Sequence, residues 1–219
     1  MQADYTHLTV ILDRTGSMQS IRDDTIGGFN AFLSEQQGQP GRATLTLVQF
    51  DSQDPYEVIH HFKAIEEVPD LTRETFVPRA STPLLDAIGR GINDLEQTLS
   101  RQVEANRPAR IVVAIVTDGQ ENASKEFDRQ TIEKMMADKQ AADWQFVFLS
   151  ADLAAIGDAI AGGVKPAAAM AFDKTKEGAS AAWGSVSKRI ADYRSNRAPN
   201  VAFSEVDRSQ QKSEKRRKS

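Results

Sequence analysis

Apolar residues recur along the chain in two rhythms that alternate from one segment to the next. Leu8-Thr9-Val10-Ile11-Leu12 is a short, nearly unbroken apolar run and predicts a strand over 6–13. A helical pattern follows over about 19–36, and Gly38-Gln39-Pro40-Gly41 stops it. Thr and Leu alternate through 43–50, the rhythm of a strand, and a second β-like run covers 56–64. Only Asp51-Ser52-Gln53-Asp54-Pro55 separates these two runs. That gap is too short for a crossover helix, so the pair is expected to be antiparallel. Leu84, Leu85, Ile88, Ile92, Leu95 and Leu99 are spaced by three and four within a predicted helix over 83–104. The run 110–117 is almost wholly apolar, as in a strand buried on both faces. A helix over 126–141, a strand over 144–149, a short helix over 153–161, a weak strand over 168–172 and a last helix over 177–194 complete the pattern. Strands alternating with helices predict an α/β fold, a doubly wound and mostly parallel sheet with helices on both faces. Its ligand crevice is expected beyond the carboxyl ends of the strands, where strand order reverses.

Oxygen-bearing side chains collect at those strand ends. Asp13, Thr15 and Ser17 lie at i, i+2 and i+4 on the loop after the first strand. Thr82, in Ser81-Thr82-Pro83, stands at the mouth of the second helix, and Asp118-Gly119 ends the 110–117 run. All are hard oxygen donors, suited to Mg²⁺, Mn²⁺ or Ca²⁺ and poorly suited to zinc. Taken singly they have plainer readings: Ser17 or Thr82 as helix caps, Pro83 as a first helical residue, and Asp118-Gly119 as a turn. Glu121, Asn122, Asp51 and Asp54 read as rim or turn residues, and Arg14 carries no special role. Gly27-Gly28 marks close packing or a kink, while Trp144 and Trp183 read as core. Histidine ligation is not expected. His60 and His61 point to opposite faces of one strand, and His7 lies at the far end of its strand from Asp13.

Asp-x-Thr-x-Ser, then Thr-Pro-Leu, then Thr-Asp-Gly, in this order and at element ends, resembles the von Willebrand factor type A domain. The metal-ion-dependent adhesion site of that family is built from three such loops. The resemblance covers roughly the first 195 positions. It implies a six-stranded sheet in the order 3-2-1-4-5-6 with one antiparallel edge strand. It also implies a metal site made of Asp13, Thr15, Ser17, Thr82 and Asp118. Ser17 and Thr15 would touch the ion, Thr82 would reach it directly or through water, and the two aspartates would act through water and orient the hydroxyls. Thr15 stands where the family usually has Ser, and it keeps the hydroxyl. The implied ion is Mg²⁺, or Mn²⁺ or Ca²⁺. With few direct negative charges the ion stays electrophilic, so the implied function is a protein-binding module that captures an Asp or Glu of a partner. Free-standing bacterial and phage members of the family resemble the chain more than its extracellular adhesion forms do. The alternatives are a structural, self-assembling component of a phage particle or bacterial stress-response complex and, ranked below it, a metal-dependent hydrolase. No enzyme is expected. A haloacid-dehalogenase-type phosphatase needs a second aspartate where Thr15 stands. No Gly-Lys-Ser/Thr occurs, and no Ser-His-Asp or Cys-His arrangement is evident.

Composition narrows the setting. The 219 residues fit one domain, expected over 1–197, with a polar, basic and flexible tail over 198–219. There are no cysteines, which excludes disulfides and thiolate metal sites and points to a reducing cytoplasm. The first residues lack the basic and apolar regions of a secretory leader, and no apolar run approaches ~20 residues, so neither secretion nor a membrane span is expected. The net charge is −4, while the final RSQQKSEKRRKS carries six Lys or Arg against one Glu. Without that segment the body stands at −9, which suits a cation and repels phosphate. Nucleic-acid contact is thus confined to a weak one through the tail.

Overall fold

The computed structural model describes the backbone of residues 2–217 and the side chains of 4–211. Six strands form one sheet: β1 (Gln2–Asp13), β2 (Arg42–Phe50), β3 (Glu57–Ala64), β4 (Pro108–Thr117), β5 (Gln145–Ser150) and β6 (Ala169–Ala171). Their order is β3-β2-β1-β4-β5-β6; every neighbouring pair is parallel except β2 with β3. Order and edge-strand direction are those expected. The order reverses between β1 and β4, whose carboxyl ends carry Asp13 and Thr117-Asp118 side by side.

The helices are α1 (Arg22–Gln37), α2 (Leu84–Arg101), α3 (Arg129–Ala141), α4 (Leu153–Ala161), α5 (Lys176–Arg194) and α6 (Glu205–Arg217). Period-two alternation along the central strands divides the core. Leu8, Val10 and Leu12 of β1 join Phe29 and Phe32 of α1 and Trp183, Val186 and Ile190 of α5 on one face. Ile11, with Val113 and Ile115 of β4, packs on the other face against Leu84, Ile88, Ile92 and Leu95 of α2 and Ile132 and Met136 of α3. The polar residues that share this second face are paired internally. His7 Nδ1 lies 2.8 Å from Thr44 Oγ1 and its Nε2 lies 3.2 Å from Thr9 Oγ1, while its ring stacks on Phe62 at 3.7 Å. Burial and the charge of His61 lower the His7 pKa to about 3, so the ring is neutral at pH 7. Trp144 and Trp183 are both buried. Gly28 lets α1 meet α5: a Cβ there would fall 2.0 Å from the Trp183 ring.

Three features depart from the expected pattern. The first helix opens as a 3-10 segment over Gly16–Ile21 before α1 begins, and α2 starts at Leu84 with Pro83 as its N-terminal flanking residue. The chain after 197 is not a loose tail up to 211. Val201 and Phe203 enter the first core, and Asp207 is buried with its carboxylate on Arg189. Arg208 donates to the carbonyls of Pro166, Ala167 and Ala169. Apolar anchors at 201 and 203, hidden in a polar stretch, hold this segment down. The side chains of the basic cluster from Lys212 onward lie outside the described residues. Among the described residues no helix is long and apolar enough to cross a membrane.

Candidate metal centre

The loop after β1 turns on the Asp13 carboxylate. Its Oδ1 accepts the Thr15 N–H at 2.7 Å, and its Oδ2 accepts the Thr117 hydroxyl at 2.5 Å, tying the ends of β1 and β4 together. Thr15 Oγ1 lies 3.2 Å from Ser17 Oγ, and Ser17 donates its proton to Asp118 Oδ1 at 2.5 Å. Asp13, Thr15, Ser17, Thr117 and Asp118 therefore form one hydrogen-bonded chain across two strand ends. Only Ser17 and Gly16 in the first loop are exposed; Asp13, Thr15 and Asp118 are buried. Neither Ser17 nor Thr82 caps a helix: Thr15 flanks the 3-10 segment, Pro83 flanks α2, and neither end has a side-chain cap.

The third loop is fastened at two points. Ala80 accepts the Gly16 N–H at 3.0 Å, and Thr82 exchanges two bonds with Asn122: Thr82 N–H to Asn122 Oδ1 at 2.8 Å and Asn122 N–H to the Thr82 carbonyl at 3.0 Å. Thr82 is buried, and its hydroxyl makes no hydrogen bond among the described residues. Glu121, read as a rim residue, has its carboxylate committed elsewhere. It accepts Leu85 N–H in the first turn of α2 and the N–H groups of Ala123 and Ser124. Asp23 is paired with Arg73 at the surface.

Burial is the main force on the Asp13 carboxyl. It raises the pKa to about 6 against the bonds from Thr117 and Thr15, and the charge of Asp118 adds to the rise. Among the described residues no arginine or lysine bonds to Asp13. Arg14, which sequence reasoning passed over, turns the other way and is buried. Its Nε donates to Asp51 Oδ2 at 2.9 Å, NH1 donates to Gln49 Oε1, and it also pairs with Glu57. Its NH2 lies 2.9 Å from Asp51 Oδ2 as an ion pair without hydrogen-bond alignment. Two other residues went unread. Thr117 stands inside the Thr-Asp-Gly motif, and its place at a strand end was the available signal. Lys174 is 2.9 Å from Asp118 Oδ2 and had no local signal at all.

The donor set fits a hard divalent cation. Ligands sharing an edge of a Mg²⁺ octahedron lie about 3 Å apart, given metal–oxygen distances of about 2.1 Å. The 3.2 Å Thr15–Ser17 pair is close to such an edge. Ser17 can keep its proton on Asp118 while its oxygen, which takes the Thr15 hydroxyl in this structure, offers a lone pair to an ion. Among the described residues no three His, Cys, Asp or Glu gather into a metal-holding cluster, so a site here would rest on hydroxyls.

No protein-family model matches the sequence, and no curated protein matches it. Solved structures do. Proximal thread matrix protein 1 from the mussel byssus, with a zinc-occupied MIDAS motif, is similar at TM-score 0.58 and 15% identity, covering 85% of this chain and 46% of that one. The manganese-loaded TRAP protein of Plasmodium vivax is similar at TM-score 0.56 and 11% identity, covering 93% and 76%. A von Willebrand factor type A protein from Catenulispora acidiphila is similar at TM-score 0.56 and 9% identity, covering 85% and 43%. The chain thus spans less than half the length of the mussel and Catenulispora chains. Strand order, the single antiparallel edge and these likenesses agree: the chain has the fold of the von Willebrand factor type A domains.

Proposed function

We propose that this chain is a divalent-metal-dependent protein-binding module that captures an acidic residue of a partner, with Mg²⁺ as its native ion and Mn²⁺ or Ca²⁺ as substitutes. One observation carries the reading: a pair of neutral hydroxyls, Thr15 and Ser17, is backed by two buried carboxylates whose oxygens are already engaged. Thr15 and Ser17 would face the ion, Thr82 would add its uncommitted hydroxyl, and Asp13 and Asp118 would supply charge from behind. The bound ion would offer a Lewis-acidic position to a carboxylate oxygen from outside. Glu121 and Asp23 are held by other groups, so the chain does not readily complete the shell with either. The zinc and manganese named for two of the structural neighbours support a divalent ion here. We place the protein in the cytoplasm, on the lack of cysteine alone.

Calorimetry of the apo protein with Mg²⁺, Mn²⁺, Ca²⁺ and Zn²⁺ tests the site. One divalent ion per chain is expected, lost in Asp13→Ala and weakened at least tenfold in Thr82→Ala. A folded protein that binds none of the four refutes the site. An array of Asp- and Glu-bearing peptides, probed with and without chelator, tests capture, and retention undiminished by chelator counts against it. No turnover of phosphoesters or nucleotides is expected: Ser17 bonds to the Asp118 carboxylate, but the Ser17 oxygen is assigned to the ion and Asp118 is also paired with Lys174. Mg²⁺-dependent hydrolysis that disappears in Ser17→Ala would make the protein an enzyme instead.

A further inference from the structure

Among the described residues, Asp118 is the one carboxylate of the site that meets a cation of the chain itself. Its side chain is fully buried, Oδ1 takes the Ser17 proton, and Oδ2 takes Lys174 Nζ at 2.9 Å. Lys174 is the opposite kind of residue, with its side chain 42% exposed on the loop between β6 and α5. That loop is pinned on either side of it. Phe172 N–H bonds to the Ser150 carbonyl, Thr175 N–H to the Asp173 carbonyl, and Thr175 Oγ1 caps α5 by accepting Gly178 N–H. The backbone therefore presents the lysine from a fixed point, while the ammonium is free to swing into solvent.

We propose that Lys174 is a built-in counter-ion of the metal centre, occupying Asp118 when the ion is absent and setting the affinity with which the ion binds. The inference rests on the metal-site reading above and goes beyond it by assigning the affinity to a residue outside the three motif loops. A buried carboxylate without a cation is costly, so Lys174 stabilises the apo protein. The same positive charge, one carboxylate away from a dication, opposes it. Binding therefore requires the ammonium to leave Asp118 or to stay at a repulsive distance. Because the ammonium is partly solvated, the opposition is moderate, about tenfold in the dissociation constant. Lys174 swings as a side chain, so α5 keeps its place.

The experiment compares the wild-type chain with Lys174→Met and Lys174→Gln by Mg²⁺ and Mn²⁺ calorimetry and by thermal unfolding with and without metal. Both variants are expected to bind the ion about tenfold more tightly, to melt lower than wild type without metal, and to gain more from saturating metal. Lys134→Gln removes a lysine charge from the exposed Lys134–Asp138 pair on α3, and it should change affinity less than twofold. Unchanged or weaker metal binding in the folded Lys174 variants overturns the inference. An equal gain in Lys134→Gln overturns it too, because net charge alone would then account for the effect. Absence of metal binding in wild type and variants alike strikes instead at the metal-site reading, and with it this one.

Discussion

Asp13 and Asp51 stand at the carboxyl ends of adjacent strands, both fully buried, and their surroundings are opposite. Burial works to raise the Asp51 carboxyl, but bonds from Arg79 and from the N–H groups of Gln53 and Asp54, with the charge of Arg14, outweigh it. The pKa is held below the usual carboxylate range. Asp13 receives, among the described residues, only neutral donors, Thr15 N–H and the Thr117 hydroxyl, and is pushed up to about 6. One carboxylate has its cations built in and holds the β2–β3 turn to the loop after β1. The other is short of positive charge at the mouth of the crevice. A buried acid that lacks an internal cation is a place where an external one gains the most. Asp118, shared between a hydroxyl and a half-exposed lysine, lies between these two cases.

Exchanging each charge for an amide separates the two roles most sharply. Asp51→Asn leaves the buried Arg14 without its main partner and is expected to cost roughly 3 kcal/mol in apo stability, read by urea unfolding. Asp13→Asn removes a charge that the apo fold accommodates poorly, and Thr117 can turn its hydroxyl to suit the amide. Its apo stability at pH 8 should stay within about 1 kcal/mol of wild type. Its metal affinity should fall at least 100-fold in calorimetry. If Asp13→Asn unfolds the protein while Asp51→Asn does not, the assignment of roles is inverted.

Protons offer a finer test. The folded Asp13 pKa of about 6 exceeds the ordinary 3.8. The stability gained from its protonated form is full below 3.8 and is lost as pH rises through 6, about 3 kcal/mol in all. His7 acts oppositely: with a folded pKa of about 3 against 6.5, it costs stability as pH falls from 6.5 towards 3. The difference between wild type and Asp13→Asn isolates the first effect. A dication beside Asp13 must lower its pKa, so metal binding at pH 6 should release about half a proton, and at pH 8 almost none. Calorimetry in buffers of different ionisation enthalpy measures this. Equal release at both pH values would mean that Asp13 does not face the ion.

The sheet and the motif loops were legible because both are local signals. Apolar periodicity gave every strand, the short 51–55 gap gave the antiparallel edge, and three motif loops, two at strand ends and one at a helix start, marked the crevice. What escaped depends on contacts distant in sequence. Arg14 looked like a free loop residue because its partner Asp51 lies 37 positions away. Lys174 meets Asp118 across 56 positions, from a loop with no distinctive composition. Glu121 read as a rim or turn residue because the α2 N–H that its carboxylate accepts, that of Leu85, lies 36 positions away. The packed segment after 197 was masked because two large apolar anchors, Val201 and Phe203, are too few to leave a periodic trace.

Ala80 offers the smallest effect, and it lies between the two regions compared. It is held at φ +60°, a left-handed conformation that a residue with a Cβ adopts at a cost of about 1 kcal/mol. On one side Arg79 donates to Asp51; two residues on, Thr82 bonds to Asn122; and Ala80 itself accepts Gly16 N–H. The strain is overcome because both flanks are fixed by these bonds. Glycine has no such penalty at this φ, though it adds freedom to the unfolded chain. Ala80→Gly is therefore expected to raise apo stability by about 0.5–1 kcal/mol. Metal affinity should move less than twofold, since the flanking bonds, not the Ala80 side chain, place Thr82. Loss of stability would mean that the flanks do not impose the left-handed turn. A fall in affinity beyond threefold with stability unchanged would mean that the strain itself holds Thr82 in position, making the two regions one coupled unit rather than neighbours.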